Sequence, residues 1–161
     1  MDIAGLLAAL EQSSLAATMR QSLWLYPIIE IVHIGGFVML VGAVAMFDLR
    51  LLGFSSSTAV RSLDRSLLPW AWVGLLAVVP SGFAMFCAHA SEFAANPAFR
   101  VKLVLLGSAA VNALVFHRGA FRSVANWDRH QPTPGAAKAT AALSLAIWLG
   151  VIGCGRLIAY L

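Results

Sequence analysis

Four stretches of this chain, at about 26–47, 67–88, 99–116 and 139–160, are each apolar for close to the length a helix needs to cross a bilayer. A hydrocarbon core about 30 Å thick takes about 20 helical residues, and inside it every backbone N–H and C=O must be satisfied within the segment. The chain is therefore expected to be all-α: an integral membrane four-helix bundle. Composition agrees, with 60% hydrophobic and 11% charged residues, where a soluble domain carries about 25% charged. A disordered tail, a disulfide scaffold and an ordinary soluble domain are excluded. Cys87 and Cys154 both lie in apolar runs and form no CxxC motif. No Lys/Arg cluster with interleaved aromatics exists, so nucleic acid is not an expected partner.

The chain divides into residues 1–23, ahead of the spans, and residues 24–161, which contain them. Residues 1–23 lack the basic start of a signal peptide: Asp2 comes first and Arg20 is the first cation. Ile3, Leu6, Leu7 and Leu10 recur at helical spacing and make one apolar face, which Ser13 and Ser14 interrupt. This predicts an interfacial amphipathic segment lying on the membrane, or one packed on a partner. Pro27 suits a helix start. Trp24, Tyr26, Trp70 and Trp72 fall near span ends, where amphipathic rings prefer the interface. Pro80 should kink the second span, with Gly82 close behind; the kink reads as a simple bend or as a polar- or cofactor-lined one.

Basic residues set the orientation. Arg50, Arg61, Arg65, Arg118, Arg122, Arg129 and Lys138 fall on one side, and only Arg20, Arg100, Lys102 and Arg156 on the other. The first side is expected to be cytoplasmic. Both termini then face the periplasm, across the inner membrane of a bacterium.

Ionisable groups within spans are costly and face the protein interior. Glu30 and His33, three apart, share a helix face near the outer end of span 1. His89 and Glu92 end span 2 on that side, Arg100 and Lys102 open span 3, and Arg156 closes span 4. Glu30, His33, His89, Lys102 and Arg156 are thus expected to converge in one outer cluster. His117 sits at the opposite end of span 3, too far down to share a metal with His33.

A haem b is the sharpest reading of that cluster. Haem iron takes an axial His, and helical bundles hold cofactors between facing helices. His33 would ligate the iron, and Gly35 and Gly36 would let a flat macrocycle approach the backbone. Arg100, Lys102 and Arg156 would pair with the propionates, Glu30 would orient or neutralise the group, and the second axial position would be taken by His89, by Lys102 or by nothing. The plainer readings are a buried Glu30–His33–Arg156 salt bridge, a loop role for His89, an interface anchor at Arg100 and a snorkelling Lys102. Asp48 and Arg50 read as an end-of-helix ion pair, and Asn112 as an interhelical hydrogen bond.

The stretches WLYPIIEIVH (24–33), FDLRLLG (47–53), NPAFRVKL (96–103), VFHRG (115–119) and GCGR (153–156) together resemble a bacterial family of small four-helix membrane proteins that carries no assigned activity. An early His in span 1 and Val-Lys-Leu opening span 3 also resemble the haem-binding membrane protoporphyrinogen oxidases and the related copper-resistance membrane proteins. That second resemblance implies functional roles at His33 and Lys102. The oxidases have a further His in span 3, and His117 falls about one helical turn away from it.

The expectation is an electron-transfer protein of cytochrome b type, working between an outer-side partner and quinone or another membrane redox subunit. Its lipid-facing, glycine-bearing helices suit a homo-oligomer or a subunit of a larger complex. The alternative is a cofactor-free transport or assembly subunit, its polar cluster an ion-pair network or proton path. If the chain is catalytic, the chemistry expected is that of an oxidoreductase.

Overall fold

The structure, a computed structural model, describes residues 2–161, which are helical with no strand among them. The helices are α1 (Ile3–Glu11), α2 (Ser14–Gln21), α3 (Leu25–Leu52), α4 (Val60–Ala88), α5 (Ala90–Ala95), α6 (Pro97–Arg118) and α7 (Gly135–Leu157). A 3-10 helix (Ala120–Asn126) follows α6. Four of them, α3, α4, α6 and α7, are long and apolar enough to cross a membrane. Ile31, Val38, Leu76, Val104 and Leu149 stand exposed along these helices, an apolar surface of the kind that faces lipid.

Local chemistry sets the helix ends. The Asn96 side chain accepts from the amides of Ala98 and Phe99, and Pro97 opens α6 where its missing N–H costs nothing. Gly53 ends α3 in the left-handed region, φ 117°. Its N–H reaches Arg50 O and that of Phe54 reaches Leu49 O, which closes the last carbonyls of the helix. α4 begins seven residues before the expected start of span 2, at Val60 rather than 67. The segment carrying Arg61, Asp64 and Arg65 is therefore helix and not loop.

α3 packs along α4 and α6 along α7, and the two pairs join chiefly through α3 and α7; α4 and α6 have no comparable contact. Glycines set the α3–α4 distance. A Cβ at Gly74 would lie 2.6 Å from Gly36 O and 2.8 Å from Leu40 N, and one at Gly36 would lie 2.7 Å from the Ala77 Cβ. Backbone approaches this close are open only to small residues.

α1 and α2 cover the end of α4 and α5. Ser13 caps α2, accepting from Ala16 N. Met19 is buried against Ala84 and Ala88, with Leu25, Tyr26 and Ile29 around them. Arg20 donates to Glu11 O and Ala88 O, and Glu11 accepts from Ser91 N at 2.7 Å. Residues 2–23 thus form two short helices fastened to the rest by named bonds. At the opposite end, Leu51, Val60, Phe116, Val124, Trp127 and Ala137 form the other core cluster. Arg50 ties that end together, donating to Thr58 O, Ser56 O and Asp128 O. It forms no ion pair with Asp48, contrary to the sequence expectation; its Nε and Nη2 go to carbonyls of two loops, which no helical spacing reveals, and its Nη1 has no partner.

Candidate functional site

Because α4 and α6 stand apart, a cleft of about 700 Å³ opens between the two helix pairs, with walls from α3, α4, α6 and α7. Its walls are apolar, with Phe37, Leu40, Leu75, Leu106 and Trp148 among them. Its polar groups gather at two ends. His33 and Lys102 lie at the end that carries the termini; Asp48, Asp64, Asn112, Thr140, Ser144 and His117 lie at the far end. By helix rise His33 and Asp48 are roughly 22 Å apart along α3.

The His33 imidazole is held by the part of α4 around Pro80. Its Nδ1 lies 3.1 Å from Val78 O and 3.0 Å from Ser81 Oγ. A carbonyl oxygen only accepts, and the Ser81 hydroxyl directs its proton to Ala77 O at 2.5 Å. Both neighbours of Nδ1 are therefore acceptors, so Nδ1 carries the proton and Nε2 keeps its lone pair. Nε2 has no hydrogen-bond partner among the described residues. Gly82 seats the ring: a Cβ there would come 3.0 Å from Cε1 of His33. Ser81 and Gly82 thus each shape one feature of the site, the acceptor and the bed.

Lys102 enters the same end from α6, passing close to Gly155 of α7. Its ammonium has no carboxylate and no hydrogen-bond partner among the described residues. The one ion pair among those residues is His117 Nε2 with Asp64 Oδ1, 3.9 Å apart at the far mouth.

The expected outer cluster is only partly assembled, since of its members only His33 and Lys102 line the cleft. Glu30 is exposed and pairs with neither His33 nor Arg156, so the salt-bridge reading is not realised. Arg100 is exposed and donates to Ala94 O. Arg156 donates to the Tyr160 hydroxyl at 2.8 Å and stacks over its ring. His89 ends α4, edge-on to the rings of Tyr26 and Phe93, beside Glu11, Arg20 and Glu92 in a separate small pocket. Gly36 meets α4 rather than open space. The physical reason is rotation. All these residues share a height, but a helix turns 100° per residue, and equal height does not bring side chains to one face.

Asn112 donates from Nδ2 to Thr140 O at 2.9 Å, the interhelical bond expected of it. Sequence reasoning missed Val78 and Ser81, and it read Asp48 as the ion-pair partner of Arg50. Ser81, directly after Pro80 in an apolar run, was the one signal of the first two. Asp48 is 5% exposed, and its Oδ2 has no partner.

No group of three His, Cys, Asp or Glu side chains placed to hold a metal ion exists among the described residues. No family model, curated protein or solved structure matches the chain.

Proposed function

We propose that this chain is a four-helix-bundle protein of the bacterial inner membrane that binds haem b and passes electrons between an outer-side partner and quinone or a membrane redox subunit. The observation that carries this reading is the state of His33. Its Nδ1–H is spent on Val78 and Ser81, its Nε2 has no hydrogen-bond partner among the described residues, and its side chain lines a large apolar cleft. Ligating imidazoles generally donate their other N–H to a carbonyl in this way. Iron already held by a porphyrin asks for one imidazole, so the absence of a three-ligand cluster is no obstacle.

His33 would hold the iron and Lys102 would face a propionate or serve as a second ligand. The haem would supply one-electron redox chemistry; the chain supplies the ligand, a counter-charge and a low-dielectric wall. Glu30, Arg100, Arg156 and His89 stand outside the cleft in this reading, and Gly36 spaces the helices. The excess of Lys and Arg at the far end supports termini facing the periplasm, with α1 and α2 at that membrane surface.

The deciding measurement is a dithionite-minus-air difference spectrum of protein purified under normal iron supply. A b-type signal lost in His33→Ala and kept in His89→Ala is the expected result. A colourless protein, or a full signal in His33→Ala, overturns the reading.

The second reading, a cofactor-free transport subunit with a proton path, draws on the unpartnered carboxylate of Asp48. Against it stands the gap from Lys102 to Asn112 along α6, roughly 15 Å by helix rise, which passes Leu106, Ala109 and Ala110 at the cleft wall and no polar lining group.

A further inference from the structure

Asp48 is the feature that a haem at His33 leaves unexplained. It lies at the opposite end of the cleft, is 5% exposed, and keeps one carboxylate oxygen without a partner. A buried polar atom left unpaired costs about 1–3 kcal/mol, and more when charged. Arg50 does not relieve it, since its bonds go to the loop carbonyls. Asp64 and His117 are engaged with each other at the mouth. What Oδ2 lacks is a hydrogen-bond donor: the polar groups at this end, Asn112, Thr140 and Ser144 among them, leave it without one, and the cleft that runs from it toward Leu106 and Ala110 is apolar. The donor that fits is one carried on an apolar body. The way in is lateral: α4 and α6 meet near their ends, where Phe86 stacks on Phe99 and Asp64 approaches His117, and Leu68, Val79, Phe83, Leu103 and Leu106 stand exposed along the gap between.

We propose that the far half of the cleft binds a membrane-soluble hydroquinone, whose ring hydroxyl donates to Oδ2 of Asp48. The choice of hydroquinone over other apolar alcohols rests on the electron-transfer reading above; the need for a hydroxyl donor does not. The ring and its apolar substituents lie against the walls near Leu106 and Ala110, and the tail leaves between α4 and α6. In its ionised form the carboxylate accepts a hydrogen bond from a hydroquinone but not from the carbonyl oxygens of the matching quinone, so the ionised site distinguishes the two redox forms.

The test is calorimetric titration of the full chain in nanodiscs, under argon, with a short-chain benzohydroquinone, its oxidised quinone and, separately, a short-chain diacylglycerol. The expected result is saturable hydroquinone binding, roughly tenfold tighter than quinone, as for a hydrogen bond to a charged group. Asp48→Leu abolishes that preference. Ala110→Phe, which fills the cleft and leaves the carboxylate in place, weakens both redox forms. Circular dichroism confirms that each variant is folded; should Asp48→Leu not fold, the redox preference of the unmodified chain and the effect of Ala110→Phe decide alone. Equal affinity for hydroquinone and quinone overturns the proposal, as does diacylglycerol binding as tight as hydroquinone binding, which would mark a lipid site. Indifference to Ala110→Phe also overturns it. The titration is carried out whatever the haem content, so a missing haem spectrum with a positive titration defeats the haem reading alone.

Discussion

The Nδ1 of His33 lies 3.1 Å from the carbonyl oxygen of Val78, on the neighbouring helix. That one contact, with Ser81 Oγ beside it at 3.0 Å, decides which imidazole nitrogen is left to act. It also holds the ring at the α3–α4 seam, where His33 lines the cleft.

Ser81→Ala removes one of the two acceptors on Nδ1 and leaves Val78 O in place. Alanine is a good helix former, so the fold should stand. Removal of such supporting bonds commonly costs 10–100-fold in affinity for a metal centre, and with one acceptor left the lower figure, about tenfold, is expected for haem. Titration of haem into apoprotein measures it, and an unchanged affinity would detach Ser81 from the site.

Gly74→Ala drives a methyl group to within 2.6 Å of Gly36 O and 2.8 Å of Leu40 N. Backbone cannot swing aside as a side-chain tip does, so α3 and α4 must separate. The expected loss is about 1–3 kcal/mol, the usual cost of overpacking, read as a lower midpoint of unfolding in detergent. Gly42→Ala, with nothing within 4 Å of the added atom, should be neutral or gain about 0.5–1 kcal/mol from helix propensity.

Arg50→Lys keeps the charge and loses the geometry. The guanidinium reaches Thr58 O at 2.7 Å and both Ser56 O and Asp128 O at 3.2 Å; an ammonium on a flexible stem does not span three such carbonyls. A destabilisation of about 2–4 kcal/mol is expected, since bonds to charged groups are worth about 1.5–3 kcal/mol each. Proteolysis of the 53–59 and 119–134 loops should rise together. If only one loop loosens, Arg50 does not couple them.

Glu11 predicts a pH dependence at the other end. The hydrogen bond from the Ser91 amide holds its carboxyl below the ordinary value of 4.5, with Arg20 and His89 adding to the effect. A lowered folded-state value means stability present above the ordinary range and lost as pH falls through the lowered one. The exchange protection of the Ser91 amide should therefore be flat above pH 4.5 and decline below it. In Glu11→Gln the decline should be absent. Protection that falls already between pH 7 and 5 would point to another group.

Much of the fold was legible before any coordinates. A run of about 20 apolar residues is a local property, and α3, α4, α6 and α7 lie where such runs lie. The break at Ser13 and Ser14 and the start of α6 at Pro97 follow from capping chemistry that needs no partner. The near-end position of His33 and Lys102 followed as well, because height along a helix is fixed by counting residues. The candidate site was legible only in part. Equal height suggested a cluster of Glu30, His33, His89, Lys102 and Arg156, and only two of these face the cleft.

The missing quantity was helix rotation. A soluble helix announces its buried face by alternating apolar and polar residues. A helix in lipid is apolar on every side, so periodicity says little about which face meets a neighbour. Here close backbone contact at Gly36 and Gly74 decides it: it turns His33 onto Val78 and Ser81 and leaves Glu30 outside. The sequence by itself determined how many helices are long and apolar enough to cross a membrane, and at what height along its helix each polar group sits. Which of those groups meet, and that Asp48 is buried without Arg50, was decided only when the helices packed, because backbone approach and loop carbonyls are contacts between distant parts of the chain.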